Sequence, residues 1–318
     1  MSHMKVYLLV LSVLFLMACS RGAPPEKQWE MAARGAYSAS LSVDGKFLLL
    51  GSVHHGGSYW QIDEFERLYN WNHEANKLSG IVASAISDNG KFATTSDHRK
   101  IVLWNAKTGE AFWLWEAPAD IRAMDLSNDG QFALLGLESY EAVLFDIKNG
   151  GVELRLTHEG IVQTVDMSTD MSIAMSGGDD SWVKVWDLQS GKELFSWQLL
   201  NQIKVVAISQ DGRYGFASSH RGESNIWDLT TGNLITQLPK VGGHFQSARF
   251  NKSGKKLLTG TSSGQVHLWD VATGEMKEYW QLAPRNSWVS KNTQVLDVAF
   301  NEKQYKAVGA NGITYLLK

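Results

Sequence analysis

Residues 161–197 read IVQTVDMSTDMSIAMSGGDDSWVKVWDLQSGKELFSW, and the reading of this stretch decides the fold. Four short runs, IVQTVDMS, SIAMSG, WVKVWDL and ELFSW, are apolar or alternate apolar with polar, and turn residues separate them. Alternation with a period of two puts successive side chains on opposite faces of a strand, and runs of this length bounded by Gly, Asp and Ser are strand-sized. The stretch therefore predicts four short strands joined by hairpins, one small antiparallel sheet.

The same pattern recurs on both sides of it. A turn signature appears at Val43-Asp44-Gly45, Asp88-Asn89-Gly90, Asn128-Asp129-Gly130, Gln210-Asp211-Gly212 and Lys252-Ser253-Gly254, with degenerate copies at Thr169-Asp170-Met171 and Glu302-Lys303-Gln304. Such turns suit the first hairpin of each unit, because their residues tolerate positive φ and match the strand twist. After each turn comes an aromatic, usually with a polar partner: Trp60-Gln61, Trp104-Asn105, Phe145-Asp146, Trp186-Asp187, Trp227-Asp228, Trp269-Asp270 and finally Tyr315. The aromatics lie 44, 41, 41, 41, 42 and 46 residues apart.

A period in the low forties that closes on Trp-Asp resembles the WD40 repeat family, over nearly everything from Trp29 to Lys318. The fold expected is all-β: a seven-bladed WD40-type β-propeller. One blade cannot bury both its faces, so blades stack and the stack closes into a ring with short, protected edges. The seventh copy ends after its third strand, while Trp29 matches the outer-strand aromatics Trp71, Trp115, Trp197 and Trp280. The N-terminal strand is therefore expected to close the last blade. A β-sandwich is the alternative, but it demands no aromatic at regular intervals.

Ahead of the repeats, Lys5 precedes the apolar run of residues 6–17, VYLLVLSVLFLM. Twelve helical residues rise about 18 Å, short of a hydrocarbon core of about 30 Å, so the run reads as the core of a signal peptide. It ends in Leu16-Met17-Ala18-Cys19, and Cys19 is the sole cysteine. These four residues resemble the lipobox of bacterial lipoprotein precursors. The resemblance implies cleavage before Cys19, a thioether diacylglycerol on its sulfur and an acyl chain on its amine; two or more chains make membrane dissociation very slow. Ser20 stands where the family places an Asp to retain products at the inner membrane, which implies the periplasmic side of an outer membrane. Three segments are expected: a signal peptide (1–18), a lipidated cysteine with an extended tether (19–27) and the propeller (28–318).

Composition excludes several functions. A formal net charge of −3 offers no broad positive field for nucleic acid. One cysteine forbids an internal disulfide and any Cys-based zinc cluster. No nucleophile elbow, phosphate loop or dinucleotide fingerprint is present. No catalytic residue, resident metal or cofactor is therefore expected, and the ring is expected to be monomeric.

Within the resemblance, a loop His, a strand Ser or Thr, a turn Asp and the Trp often form a hydrogen-bonded network. Asp97, Asp179 and Asp180 occupy the turn position and Gly243-His244 resembles the loop Gly-His, with blades two and four the best candidates. His54, His55, His98 and His220 fall on second-to-third-strand turns, with His73 and His158 on nearby inter-blade connections. The four turn histidines are the only groups that a metal-binding or enzymatic propeller could use.

Departures from the repeat are the best guide to binding, because loops on rigid scaffolds carry most recognition groups. Residues 62–68 read as an insertion in blade one. Residues 283–294 form a long connection holding Trp288 between Arg285 and Lys291, a composition common at interface hot spots. With Arg99, Tyr140, Trp182, His220 and Arg221, the residues Arg285 and Trp288 make the expected partner-binding surface. The expected role is a membrane-anchored platform for protein partners in the cell envelope. A propeller enzyme or metal protein using the rim histidines, and a structural accessory of outer-membrane assembly, are the alternatives.

Overall fold

A computed structural model describes residues 22–52, 56–74, 79–285, 293–302 and 304–318. Cys19, His54, His55, Trp288 and Lys291 lie outside the described residues. The described chain forms seven four-stranded antiparallel sheets and no helix. We name the strands of each blade a to d from the centre outward. The a strands, Ala36–Leu41, Ala83–Ile86, Ile121–Leu126, Val162–Met167, Ile203–Ile208, Phe245–Phe250 and Val295–Asn301, stand side by side around a central channel. The architecture is the expected seven-bladed propeller.

The a–b turns explain the repeated Asp-Gly signal. In blade three, Ser127 Oγ donates to Asp129 Oδ1 (2.6 Å) and accepts the Phe132 N–H (2.9 Å), while Asp129 accepts the Gln131 N–H (2.9 Å). The same serine-to-acid link recurs at Ser42-Asp44, Ser168-Asp170 and Ser209-Asp211. Gly130 takes φ 68° there, a conformation that costs a side-chain-bearing residue free energy. The degenerate turns pay that cost at Met171 and Glu302, with φ 58° and 51°.

Blade-to-blade packing rests on the aromatics. Trp71 in strand d of blade one (Glu66–Trp71) stacks on Trp104 in strand c of blade two (Lys100–Asn105) at 5.0 Å, and its indole N–H donates to the Gly109 carbonyl (3.0 Å). Trp115 donates to Ile147 O (2.6 Å), and Trp197 stacks on Trp227 at 4.5 Å. Trp71 and Trp115 thus lean onto the following blade and satisfy their one polar atom on its c–d turn, and Trp280 donates to the Lys318 carbonyl of blade seven (3.1 Å). A Cβ on Gly150 would stand 2.6 Å from Trp115, which is why this turn carries glycine.

The ring closes as expected. Strand d of blade seven is Lys27–Glu30, antiparallel to the C-terminal strand Ile313–Leu317 in the register Lys27↔Leu316 to Glu30↔Ile313. Trp29 is 7% exposed and packs with Leu48, Trp60 and Ile62 of blade one. Two polar links bind the same seam: the buried Lys306 ammonium meets Asp63 (2.7 Å), and Asp297 Oδ2 accepts the Leu41 N–H (2.7 Å).

Two expectations need correction. Residues 62–68 are no insertion, because strand d of blade one starts at Glu66 and leaves an ordinary c–d turn of residues 62–65. Other c–d turns carry Asp and Gly, as Asp187 and Gly191 do; here Gln61 replaces the acid and Phe65 takes the positive φ, 54°. Nor does the tether run free to residue 27. Ala23 N–H donates to Tyr279 O (3.0 Å) and Ala23 O accepts the Gln281 N–H (3.2 Å), so the chain lines the outer edge of blade six from residue 22 onward. Backbone pairing, which composition does not report, supplies what these small residues lack in apolar surface.

Replacing Trp29 removes an aromatic that joins the last blade to the first. Trp29→Ala is expected to lower unfolding stability by about 3–5 kcal/mol, read by chemical denaturation. A loss under about 1 kcal/mol would mean that the N-terminal strand contributes little to closure.

Candidate functional site

Three polar features stand out from the packed repeats: buried networks, a charged channel and one rim. The networks occur in blades two and four. His158 Nε2 lies 2.7 Å from Ser176 Oγ and its Nδ1 lies 2.8 Å from Asp180 Oδ2, while Trp186 Nε1 donates to Ser176 Oγ (2.7 Å). In blade two, His73 Nε2 meets Thr95 Oγ1 (2.9 Å), Trp104 donates to the same oxygen (2.8 Å), and Asp97 stands 3.3 Å from His73 Nδ1. Burial foremost lowers the His73 pKa, against the pull of Asp97.

Blades and acids Asp97 and Asp180 match the sequence expectation, but the histidine differs. His244 bonds Ser262 Oγ (3.2 Å), and no histidine joins the Trp269–Thr259 pair (2.8 Å). The network histidine of blade four sits four residues before strand a; at that distance from its own strand a, blade six has Val241. Asp179 is exposed and accepts from Gln163 (3.2 Å). The His73 and His158 networks tie strands within a blade, with both imidazoles buried.

The channel encloses about 280 Å³ and is lined by all seven a strands. Where other blades place Ser40, Ala85, Ala207 or Ala299, blades three and four place Asp125 and Asp166, and blade six places Arg249. Asp125 accepts N–H groups of Leu126 (2.8 Å) and Met167 (3.0 Å); Asp166 accepts that of Ile208 (2.6 Å). Each carboxyl acts on the other's ionisation. Burial, then the Asp88 charge, pushes Asp125 up to about 6; burial, then Asp125, pushes Asp166 well above the usual range. Asp88 caps the channel mouth, accepting from Thr169 across the ring. Arg249 pairs with Asp297 at 3.0 Å. Sequence reasoning missed these acids. The available signal was a charge at an a-strand position that is otherwise small.

The rim of b–c turns and d–a connections carries the sequence-derived binding residues, without gathering them in one place. Arg99 meets Glu116 (3.5 Å), donates to Ala117 O (3.2 Å) and, with His98 and Asp120, lines a broad open depression. Tyr140 is 51% exposed at φ 68°, and the Trp182 N–H donates to Asp180 (3.1 Å). Arg285 is engaged at the ring seam: its guanidinium donates to Ala33 O and to Ala32 O (2.6 Å) and meets Glu30 (3.4 Å). Arg221 lines a separate cavity between blades five and six, and His220 stands behind its wall, its ring 4.4 Å from that of the lining His244. Among the described residues, no three His, Cys, Asp or Glu side chains converge as metal ligands.

A closed ring of seven sheets with polar rims defines a WD40-type β-propeller, a scaffold class whose recognition groups sit on loops. The family model described as outer membrane protein assembly factor BamB matches residues 51–282, and the chain belongs to this propeller family. Similar curated proteins include Autophagy-related protein 16 of Arabidopsis thaliana, 23% identical over 59% of this chain and 38% of that protein. Eukaryotic translation initiation factor 3 subunit I of Scheffersomyces stipitis is 24% identical over 45% of each chain. Apoptotic protease-activating factor 1 of Homo sapiens is 20% identical over 87% of this chain and 25% of its own length. The chain spans less than half the length of each of these relatives.

The channel acids make a signed pH prediction. Because their folded pKa values exceed those of the open chain, the folded state holds more protons between the ordinary carboxylate range and about 6. Their contribution is present at low pH and lost as pH rises through that window. Asp166→Asn should raise the unfolding temperature at neutral pH by about 2–4 °C and shrink its advantage on acidification. His267, held down to about 4 by burial, works in the opposite direction but is common to both proteins, so their difference isolates the channel. A variant less stable than wild type at pH 7, or a difference independent of pH, contradicts this account.

Proposed function

We propose that this protein is a lipid-tethered docking platform of the bacterial cell envelope, an accessory of outer-membrane protein assembly that acts by binding and not by catalysis. The observation that carries the reading is the family match over residues 51–282 to an outer membrane assembly factor. The other relatives bear names from autophagy, translation initiation and apoptosis. Processes so different share no reaction, which favours a scaffold whose rim side chains choose the partner.

Leu16-Met17-Ala18-Cys19 supports the anchor. Backbone pairing is described from Ala23, so a lipid on Cys19 would lie four residues, about 14 Å of extended chain at most, from the edge of blade six. The toroid then stands edge-on to the bilayer. Both rims stay open to the aqueous side, and the rim carrying Arg99, Tyr140, Trp182 and Arg221 is free to meet partners.

Cell fractionation with Cys19→Ala tests the anchor: wild type should follow the membrane and the variant the soluble fraction. Crosslinking in intact cells tests the rim, and Arg99→Glu, Tyr140→Ala or Arg221→Glu should each remove captured species while leaving the fold intact. Identical captures from wild type and all three variants would overturn the docking role.

A further inference from the structure

Blade five has the longest b–c turn among the described blades. Strand b, Tyr214–Ser219, and strand c, Ser224–Asp228, are separated by four residues, His220-Arg221-Gly222-Glu223. Ser219 caps the turn, its hydroxyl accepting the Glu223 N–H (3.0 Å) while its carbonyl accepts the Gly222 N–H (3.3 Å). Arg221 sits at φ 54° on the crest and is exposed. Opposite it runs the connection to blade six, with Lys240 and the Gly242-Gly243 pair; Gly243 holds φ 88°. Between the two lies a cavity of about 150 Å³.

Among the residues that line it, the charged side chains are all basic. Arg221, Lys240 and His244 line the cavity, as do the hydroxyl residues Ser218, Ser219 and Ser224, over an apolar base of Val241 and Phe245. His220 packs against His244, with its own Nδ1 buried and unpartnered. Elsewhere on this rim the cations are matched: Arg99 with Glu116, Lys100 with Glu74, Arg122 with Glu138 and Arg155 with Glu141. Among the described residues, none of Lys204, His220, Arg221, Lys240 and His244 makes an ion pair, and Glu223 on the same turn pairs with none of them. Burial, then the charges of His220, Lys204 and Arg221, depresses the His244 pKa. Gathering like charges around a cavity without a counter-charge costs free energy that an anion returns.

Resting on the docking role of this rim, we infer that the cavity between blades five and six is an acceptor pocket for a carboxylate side chain of the partner protein. Its size suits part of a side chain, being well below the roughly 300 Å³ at which small-molecule sites begin. Val241 and Phe245 suit the methylene stem of a Glu, and the cationic wall suits its head. Inorganic phosphate has the charge but no stem. The guanidinium of Arg221 can take both carboxylate oxygens, which fixes orientation as well as charge.

The test uses the purified full chain in detergent, with the imidazole resonances of His220 and His244 followed by NMR. The probes are a blocked Gly-Glu-Gly peptide, its Gly-Gln-Gly counterpart and inorganic phosphate. The Glu peptide should give a saturable shift and raise the His244 pKa, since it adds negative charge beside a ring that burial and the neighbouring cations now hold down. The Gln peptide should not. Arg221→Glu with Lys240→Glu should weaken binding at least about tenfold, while Arg99→Glu should leave it unchanged. Equal response to both peptides, no saturable response, or tighter binding of phosphate than of the Glu peptide would each overturn the assignment. The two readings fail separately: captures in cells that change with Arg99→Glu or Tyr140→Ala, but not with Arg221→Glu, keep the rim and reject the pocket, whereas captures that none of the three variants changes reject the docking role even if the Glu peptide binds.

Discussion

Every sheet in this molecule depends on a neighbour to cover it, and the last neighbour is supplied by the other end of the chain. Pairing of Lys27–Glu30 with Ile313–Leu317 turns a row of stacked blades into a ring. Without it, the C-terminal strand would offer an unpaired edge and Trp60 and Ile62 would lose the cover of Trp29. The seam is the junction where local sequence contacts cannot help, because its partners are separated by almost the whole chain. It carries polar bracing of its own: Lys306 with Asp63, Arg285 with the 32–33 carbonyls, and Asp297 with the Leu41 amide.

Closure also sorts the surface into regions with different duties. The a strands face a channel whose acids knit adjacent blades by accepting backbone N–H groups from the next one. The outer strands carry aromatics committed to the following blade. The rim of b–c turns and d–a connections remains, and its charges are unevenly matched. Blades two to four pair theirs, whereas blades five and six leave a cationic cavity uncompensated. Ala23 and Glu26 bond along the outer edges of blades six and seven, away from the rim that carries the cavity.

Much of the architecture was legible because it repeats. The Ser-x-Asp-Gly turns and the third-strand aromatics fixed blade number and strand order, and the missing fourth strand of blade seven pointed to Trp29. Legibility failed where a single copy departs from its signal. Gln61 and Phe65 make an ordinary turn without Asp or Gly, so blade one seemed to hold an insertion. His158 reaches its network from a loop whose length varies among blades, so proximity to Gly drew attention to His244 instead. The channel acids hide within strands whose alternation looks normal, and their proximity exists only after the ring forms. Arg99, Tyr140, Trp182 and Arg221 were found on one rim, but no sequence pattern could show that only the last lines the cavity between blades five and six.

The most direct test of closure is amide hydrogen exchange at the seam. If pairing of the N-terminal strand is what holds the ring, the amides of Lys27–Glu30 and Ile313–Leu317 should exchange with the same free energy as the a-strand amides of blades three and four, through one cooperative opening. Seam amides that exchange much faster, while the interior of the other blades stays protected, would show a propeller that stands without its clasp and would contradict the account.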